Sequence, residues 1–168
     1  YLHSQNIIHC DLKAENLLLG NNYELKISSF ECCVSEEDGE HFWAGTKNYR
    51  APELLKKKVP TKAVDIYSAG IILFVLKVGR LPYNEERRIK GIDLFELLKN
   101  ESNEFWKWHE EFSGNGYKFD DDFKELFTMM VRQDAATRAL IEKIKSSRWY
   151  NGPIYSAKGL EFVMKYKL

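Results

Sequence analysis

The sequence predicts a mainly α, α+β domain: a helical bundle around one buried central helix, with a small β-hairpin near its start. Three patterns carry this reading. Residues 63–78 are apolar on almost every side, as a central helix must be. Phe123, Leu126, Phe127, Met130 and Val131 recur at i, i+3, i+4, i+7 and i+8, the stripe of an amphipathic helix. Leu17-Leu18-Leu19, then Gly20-Asn21-Asn22, then a strictly alternating Tyr23–Ile27 read as two strands and their turn. The chain has 168 residues, 44% of them apolar and 14% aromatic. That suffices for one domain with a real core and argues against disorder.

Taken in order, Ile7 to Gly20 opens apolar, turns polar and ends in the leucine run. Residues 28–52 keep no periodicity and read as one long loop, with acidic residues at Glu36, Glu37, Asp38 and Glu40 expected to form a solvated face. Lys56-Lys57-Lys58 reads the same way. The central helix over 63–78 stops at Gly79. A shorter helix is expected over 93–98. Phe105, Trp106, Trp108 and Phe112 span about two helical turns and are expected to pack in the core. A further helix is expected over 137–149, broken by Asn151-Gly152-Pro153. The tail, 157–168, reads as a last helix with Leu160, Val163 and Met164 inward.

Charge and cysteine usage exclude several classes. Twenty-five basic and 25 acidic residues cancel, which gives no electrostatic case for nucleic acid or an anionic membrane as partner. No apolar run approaches the length of a spanning helix. Cys10, Cys32 and Cys33 have neither disulfide nor zinc spacing, so a reducing, intracellular setting is expected, the cytoplasm first. The histidines, His3, His9, His41 and His109, lack ligand spacing and read as packing or surface residues.

The chemistry concentrates in His9-Cys10-Asp11-Leu12-Lys13-Ala14-Glu15-Asn16. A carboxylate there can receive a hydroxyl proton, an ammonium can meet a phosphate, and an amide oxygen can meet a metal. Then come, in order, Gly45-Thr46, Tyr49-Arg50-Ala51-Pro52-Glu53, Asp65-Ile66-Tyr67-Ser68-Ala69-Gly70 and Arg138. This succession resembles the protein kinase family, of Ser/Thr type, and covers the C-terminal lobe alone. His9-Cys10-Asp11 is similar to the H-R-D loop, Ser29-Phe30-Glu31 lies where D-F-G belongs, and Ala51-Pro52-Glu53 is the A-P-E motif. The wording Lys-Ala-Glu-Asn and the block from Arg138 to Trp149 resemble the calcium/calmodulin-dependent and AMP-activated-like branch.

The resemblance implies a kinase C-lobe over 1–150, with a helical tail over 151–168. It implies that Tyr1 lies close to the end of the family's helix E. In intact relatives it implies ATP and magnesium as cofactors and a protein as substrate or partner. Asp11 would be the catalytic base, Lys13 would steady the transferred phosphate, and Asn16 would bind magnesium. Thr46 would touch Asp11 and help set Ser/Thr preference. Glu15 would favour basic side chains on the substrate, and Leu18 would lie beneath adenine. His9 and Phe30 would stack, while Glu53 with Arg138, and Asp65, would be structural.

The pattern also breaks. Ser29 replaces the D-F-G Asp, a cofactor-binding position, with a neutral hydroxyl. Glu31 replaces its Gly, and its carboxylate is a poor substitute ligand because it leaves a different backbone position. Cys10 replaces the Arg that reads a loop phosphate. Leu140 stands where the family caps its last core helix. No Gly-rich loop, strand Lys or helix-C Glu occurs in the chain. The expected function is therefore a catalytically impaired, pseudokinase-like binding module. The alternative is the C-lobe of an active enzyme using Asp11, Lys13 and Asn16.

Overall fold

The structure, a computed structural model, describes residues 1–36, 45–56, 58–84, 91, 93–114 and 116–166. Glu37, Asp38, Glu40, His41 and Lys57 lie outside the described residues, as does the end of the tail, 167–168.

The hairpin forms where alternation predicts it. Strand β2 (Leu17–Leu19) pairs antiparallel with β3 (Leu25–Ile27), Leu17 opposite Ile27 and Leu19 opposite Leu25. Ile7 and Ile8 do not extend this hairpin. They form β1 (Ile7–Ile8), paired antiparallel with β4 (Val34–Ser35). The long loop expected over 28–52 is thus structured at both ends, by β4 and by a 3-10 turn at Lys47–Tyr49 leading into α1 (Pro52–Leu55). The sequence hides β4 because two residues are too few to display a period; the pairing with β1 creates the strand.

The central helix is α2 (Lys62–Val78), closed by Gly79 at a φ of 75°, where a left-handed residue ends a helix without steric cost. Val64, Tyr67, Ile71 and Phe74 are fully or almost fully buried. Burial is not continuous to the end, however. Leu76 is 72% exposed beside an exposed Lys77, so one side of the last turn of α2 faces outward while Val78 still packs against the core. Helix α5 (Asp121–Met130) presents the predicted stripe, with Phe123, Leu126, Phe127 and Met130 buried and Asp120 accepting the Phe123 N–H at its start. Gly70 lets α5 approach α2: a Cβ there would lie 2.8 Å from a Val131 methyl and 3.0 Å from Met130 Cβ.

Phe74 sits in an aromatic cluster with α4 (Asn103–Ser113) and α5, its ring 4.8 Å from His109 and 4.9 Å from Phe127 by centroid. Phe105 and Trp106 join this core and Trp108 is half-buried. Phe112, in contrast to expectation, is 59% exposed; it lies seven residues along the helix from Phe105 and stacks on Trp108 at the surface. Helix α3 (Leu94–Lys99) starts at Asp93, whose carboxylate accepts the Glu96 N–H.

The helix expected over 137–149 contracts to α6 (Ile141–Lys145). At its start the guanidinium of Arg138 is drawn inward to Glu53 and to the Arg132 and Ala63 carbonyls, which fixes a turn before Leu140, and at its end residues 146–149 form turns in place of helix. Leu140 then begins α6 without a side-chain cap. The tail forms α7 (Ala157–Tyr166), with Leu160, Val163 and Met164 only half-buried. Among the described residues no helix is long and apolar enough to cross a membrane.

Candidate active site

Asp65, in the first turn of α2, organises the loop that follows β1. Its Oδ2 accepts the His9 N–H and its Oδ1 the Cys10 N–H, each at 2.9 Å, and His3 Nε2 lies 2.8 Å from Oδ2. A buried carboxylate is tolerated when donors surround it in this way. Cys10 adopts a φ of 64°, which turns the chain away from β1 so that Asp11 leaves the core. Burial pushes the Cys10 thiol up to about 12, with Asp65 adding to the effect. Cys10 is therefore an inert thiol at neutral pH.

Asp11 is held from two directions. Its Oδ1 accepts the Thr46 N–H at 2.7 Å and the Thr46 hydroxyl at 2.8 Å; its Oδ2 lies 3.0 Å from Lys13 Nζ. Lys13 Nζ also donates to Thr46 Oγ1 at 2.8 Å. Partial burial by itself raises the Asp11 carboxyl, but the hydrogen bonds from Lys13 and Thr46 outweigh it and hold it below the usual range. The ion pair acts reciprocally on Lys13, which is raised. The site thus presents an ionised carboxylate beside an ammonium, as a hydroxyl-orienting group beside a phosphate-attracting one requires.

Asn16 is buried and donates through Nδ2 to the Asp11 carbonyl at 2.9 Å, while its own carbonyl accepts the Ser28 N–H and hydroxyl. These bonds fasten the base of the hairpin to the Asp11 loop and leave the Asn16 amide oxygen as acceptor. His9 accepts the Asp11 N–H at Nδ1 (3.3 Å), so Nε2 carries the proton that reaches the Ser28 carbonyl at 3.0 Å. The His9 and Phe30 rings meet at 5.3 Å, tilted by 57°. Ser29 is half-buried at a φ of 64°, Glu31 is exposed, and Leu18 is exposed opposite Lys26.

The metal side of the site is poor in charge. Asn16 offers an amide oxygen and Ser29 a hydroxyl, and among the described residues no group of three His, Cys, Asp or Glu side chains is arranged to hold a metal ion. Magnesium bridging a triphosphate demands charged oxygens in near-octahedral array. This donor set does not fit that demand.

Farther out, Arg138 grips Glu53 through two hydrogen bonds, of 2.6 and 2.9 Å. Residues 53 and 138, 65 and 9–10, and 46 and 11 are thereby brought together. Two participants escape the sequence reading. His3 reads as an isolated histidine because its partner, Asp65, lies 62 residues away. Arg50 donates through Nη2 to the Gly45 carbonyl, a contact that no spacing announces.

A model of the protein kinase domain matches residues 1–150. The chain belongs to the protein kinase family. It is 36% identical over 160 residues to CBL-interacting protein kinase 11 of Oryza sativa subsp. japonica, covering 92% of this chain and 29% of that protein. It is 38% identical over 160 residues to CBL-interacting protein kinase 15 of the same plant, covering 91% and 34%. Similarity to CBL-interacting serine/threonine-protein kinase 2 of Arabidopsis thaliana is 33% over 172 residues, covering 98% and 33%. The chain therefore spans about a third of the length of these Ser/Thr kinase relatives, whose family uses ATP and magnesium. In this kinase-family chain Asp11, Lys13 and Thr46 form one hydrogen-bonded group.

Proposed function

We propose that this kinase lobe is a protein-binding module of Ser/Thr-kinase descent whose capacity for phosphoryl transfer is impaired. The observation that carries the reading is an asymmetry in the site. The acceptor side, Asp11, Lys13 and Thr46, is hydrogen-bonded and ordered, while the metal side has Ser29 and an exposed Glu31. A peptide hydroxyl would find a carboxylate to orient it; a metal-bound triphosphate would find too few charged ligands. Glu15, exposed beside this loop, would favour basic side chains in the bound segment.

The second reading, an active C-lobe using Asp11, Lys13 and Asn16, is favoured by one observation: the Asp11 carboxylate is fixed by Thr46 and paired with Lys13 at the loop surface. Titrating Mg-ATP by calorimetry and following phosphate incorporation into a Ser-containing peptide separates the two. The module reading expects weak or no Mg-ATP binding in the chain as it stands. It expects a gain of at least tenfold in Ser29→Asp/Glu31→Gly. Phosphorylation by the unaltered chain that disappears in Asp11→Asn would overturn it and establish the second.

A further inference from the structure

The fold gathers three thiols that the sequence holds apart. Cys10 precedes Asp11, and Cys32 and Cys33 follow Glu31, with the whole Asp11 loop and the β2–β3 hairpin between them. Strands β1 and β4 reverse that separation. Their register sets Ile7 opposite Ser35 and Ile8 opposite Val34. Continued two residues beyond the strands, it sets Cys10 opposite Cys32. Facing residues of an antiparallel pair bring their Cβ atoms close to the separation that a disulfide spans. Cys32 is half-buried against the core cluster that contains Ile8 and Cys10. The Cys33 N–H donates to the Phe30 carbonyl at 3.1 Å, so Cys32 takes the third position of a turn.

Two of the three thiols are shielded from dissolved reagents. Burial pushes the Cys10 thiol up to about 12, with Asp65, Cys33 and Cys32 adding to the effect. Burial likewise pushes the Cys33 thiol up to about 11, with Asp65, Cys32 and Glu31 adding. Both stay protonated at neutral pH and offer an oxidant no thiolate. Cys32 is left as the point of attack, within electrostatic reach of both neighbours.

We propose that Cys32 is a modification site for a peroxide and that Cys10 resolves it, closing a Cys10–Cys32 disulfide. Cys32 Sγ attacks one peroxide oxygen, the O–O bond breaks, and the departing hydroxide takes the thiol proton as water, leaving a sulfenic acid. Cys10 Sγ then bonds to Cys32 Sγ, the S–O bond breaks, and the hydroxide leaves with the Cys10 proton as a second water. The two thiols lose two electrons and the peroxide gains them. Cys10, inert toward dissolved reagents, here meets an electrophile held beside it. The ring so closed contains Asp11, Lys13, Asn16, Ser29 and Phe30. Oxidation therefore restrains both halves of the candidate site, whether or not that site transfers phosphate.

The test is hydrogen peroxide treatment of the reduced 168-residue chain at neutral pH. Free thiols are then blocked with N-ethylmaleimide in denaturant, and the chain is digested with trypsin and weighed by mass spectrometry without reductant. Cleavage after Lys13, Lys26 and Lys47 puts Cys10 in residues 1–13 and the other two cysteines in residues 27–47. These peptides should appear joined, two hydrogens lighter than their sum, from a chain that still runs as a monomer on a non-reducing gel. Dithiothreitol should separate them. The joined peptide should persist in Cys33→Ser and vanish in Cys32→Ser. In the unaltered chain its yield should fall about tenfold when peroxide is added in concentrated urea, because unfolding removes the facing geometry. A joined peptide that survives in Cys32→Ser, a bridge within 27–47, or a link between two copies overturns the proposal. So does sulfinic acid at Cys32 with Cys10 still free, an equal yield in urea, or no loss of free thiol.

Discussion

Arg138 and Glu53 form a buried two-pronged ion pair that closes 85 residues of chain, with hydrogen bonds of 2.6 and 2.9 Å. The arginine side chain is fully buried and also donates to the Ala63 and Arg132 carbonyls, so it ties α1 and the start of α2 to the turn before α6. Replacing one member leaves the other charged and unpaired in the interior. Arg138→Met should therefore cost about 3–5 kcal/mol in urea unfolding, whereas Arg138→Met/Glu53→Leu should recover much of that loss. A single-variant loss below about 1 kcal/mol would show that the pair is incidental to the fold.

Asp65 supports the Asp11 loop through two backbone N–H groups. Asn has one carbonyl oxygen to offer, so Asp65→Asn keeps the volume and forfeits at least one of these bonds, at about 1–3 kcal/mol. Amide hydrogen exchange should accelerate at His9 and Cys10 more than at residues of α5. Uniform acceleration across both regions would instead indicate a global effect.

Stability should depend on pH through His109. Burial holds its imidazole down at about 4 against 6.5 when free, with Arg80 adding to the effect and the Pro82 carbonyl opposing it. The unfolded chain therefore binds a proton that the folded chain refuses between these values. The contribution is complete above about pH 6.5 and is lost as pH falls toward 4, amounting to about 3 kcal/mol at the lower limit. His109→Gln should flatten this part of the profile in unfolding measured at pH 7, 6, 5 and 4; an unchanged slope would rule out His109 as its source.

The close approach of α2 and α5 predicts a size limit at Gly70. A Cβ would lie 2.8 Å from a Val131 methyl. Gly70→Ala gains helix propensity but must displace that methyl, and Gly70→Val must displace more. Overpacking of about 1–3 kcal/mol is expected for the valine variant, with alanine smaller. Thermal unfolding midpoints that rise in both variants would contradict the packing.

How legible each part was follows from the range of the forces that make it. The hairpin, α2 and α5 are written as local periodicity, so 17–27, 62–78 and 121–130 emerge close to their expected bounds. Asp11, Lys13 and Asn16 were legible because motif order fixed their neighbourhood. Strand β4 was not, since two residues acquire strand geometry only by pairing with Ile7 and Ile8. The start of α6 was placed too early because Arg138 answers to Glu53, far away in sequence, and imposes a turn that local propensity does not foresee.

The sequence by itself determined the family and the mainly helical class. These are matters of residue type and order. The tertiary structure alone decided that Thr46 and Lys13 converge on Asp11, that His3 joins the Asp65 group, and that the Gly45 carbonyl turns to Arg50. Each of these depends on a backbone rotation or on a partner distant along the chain. Hydrogen-bond geometry is satisfied in space, where sequence separation carries no weight.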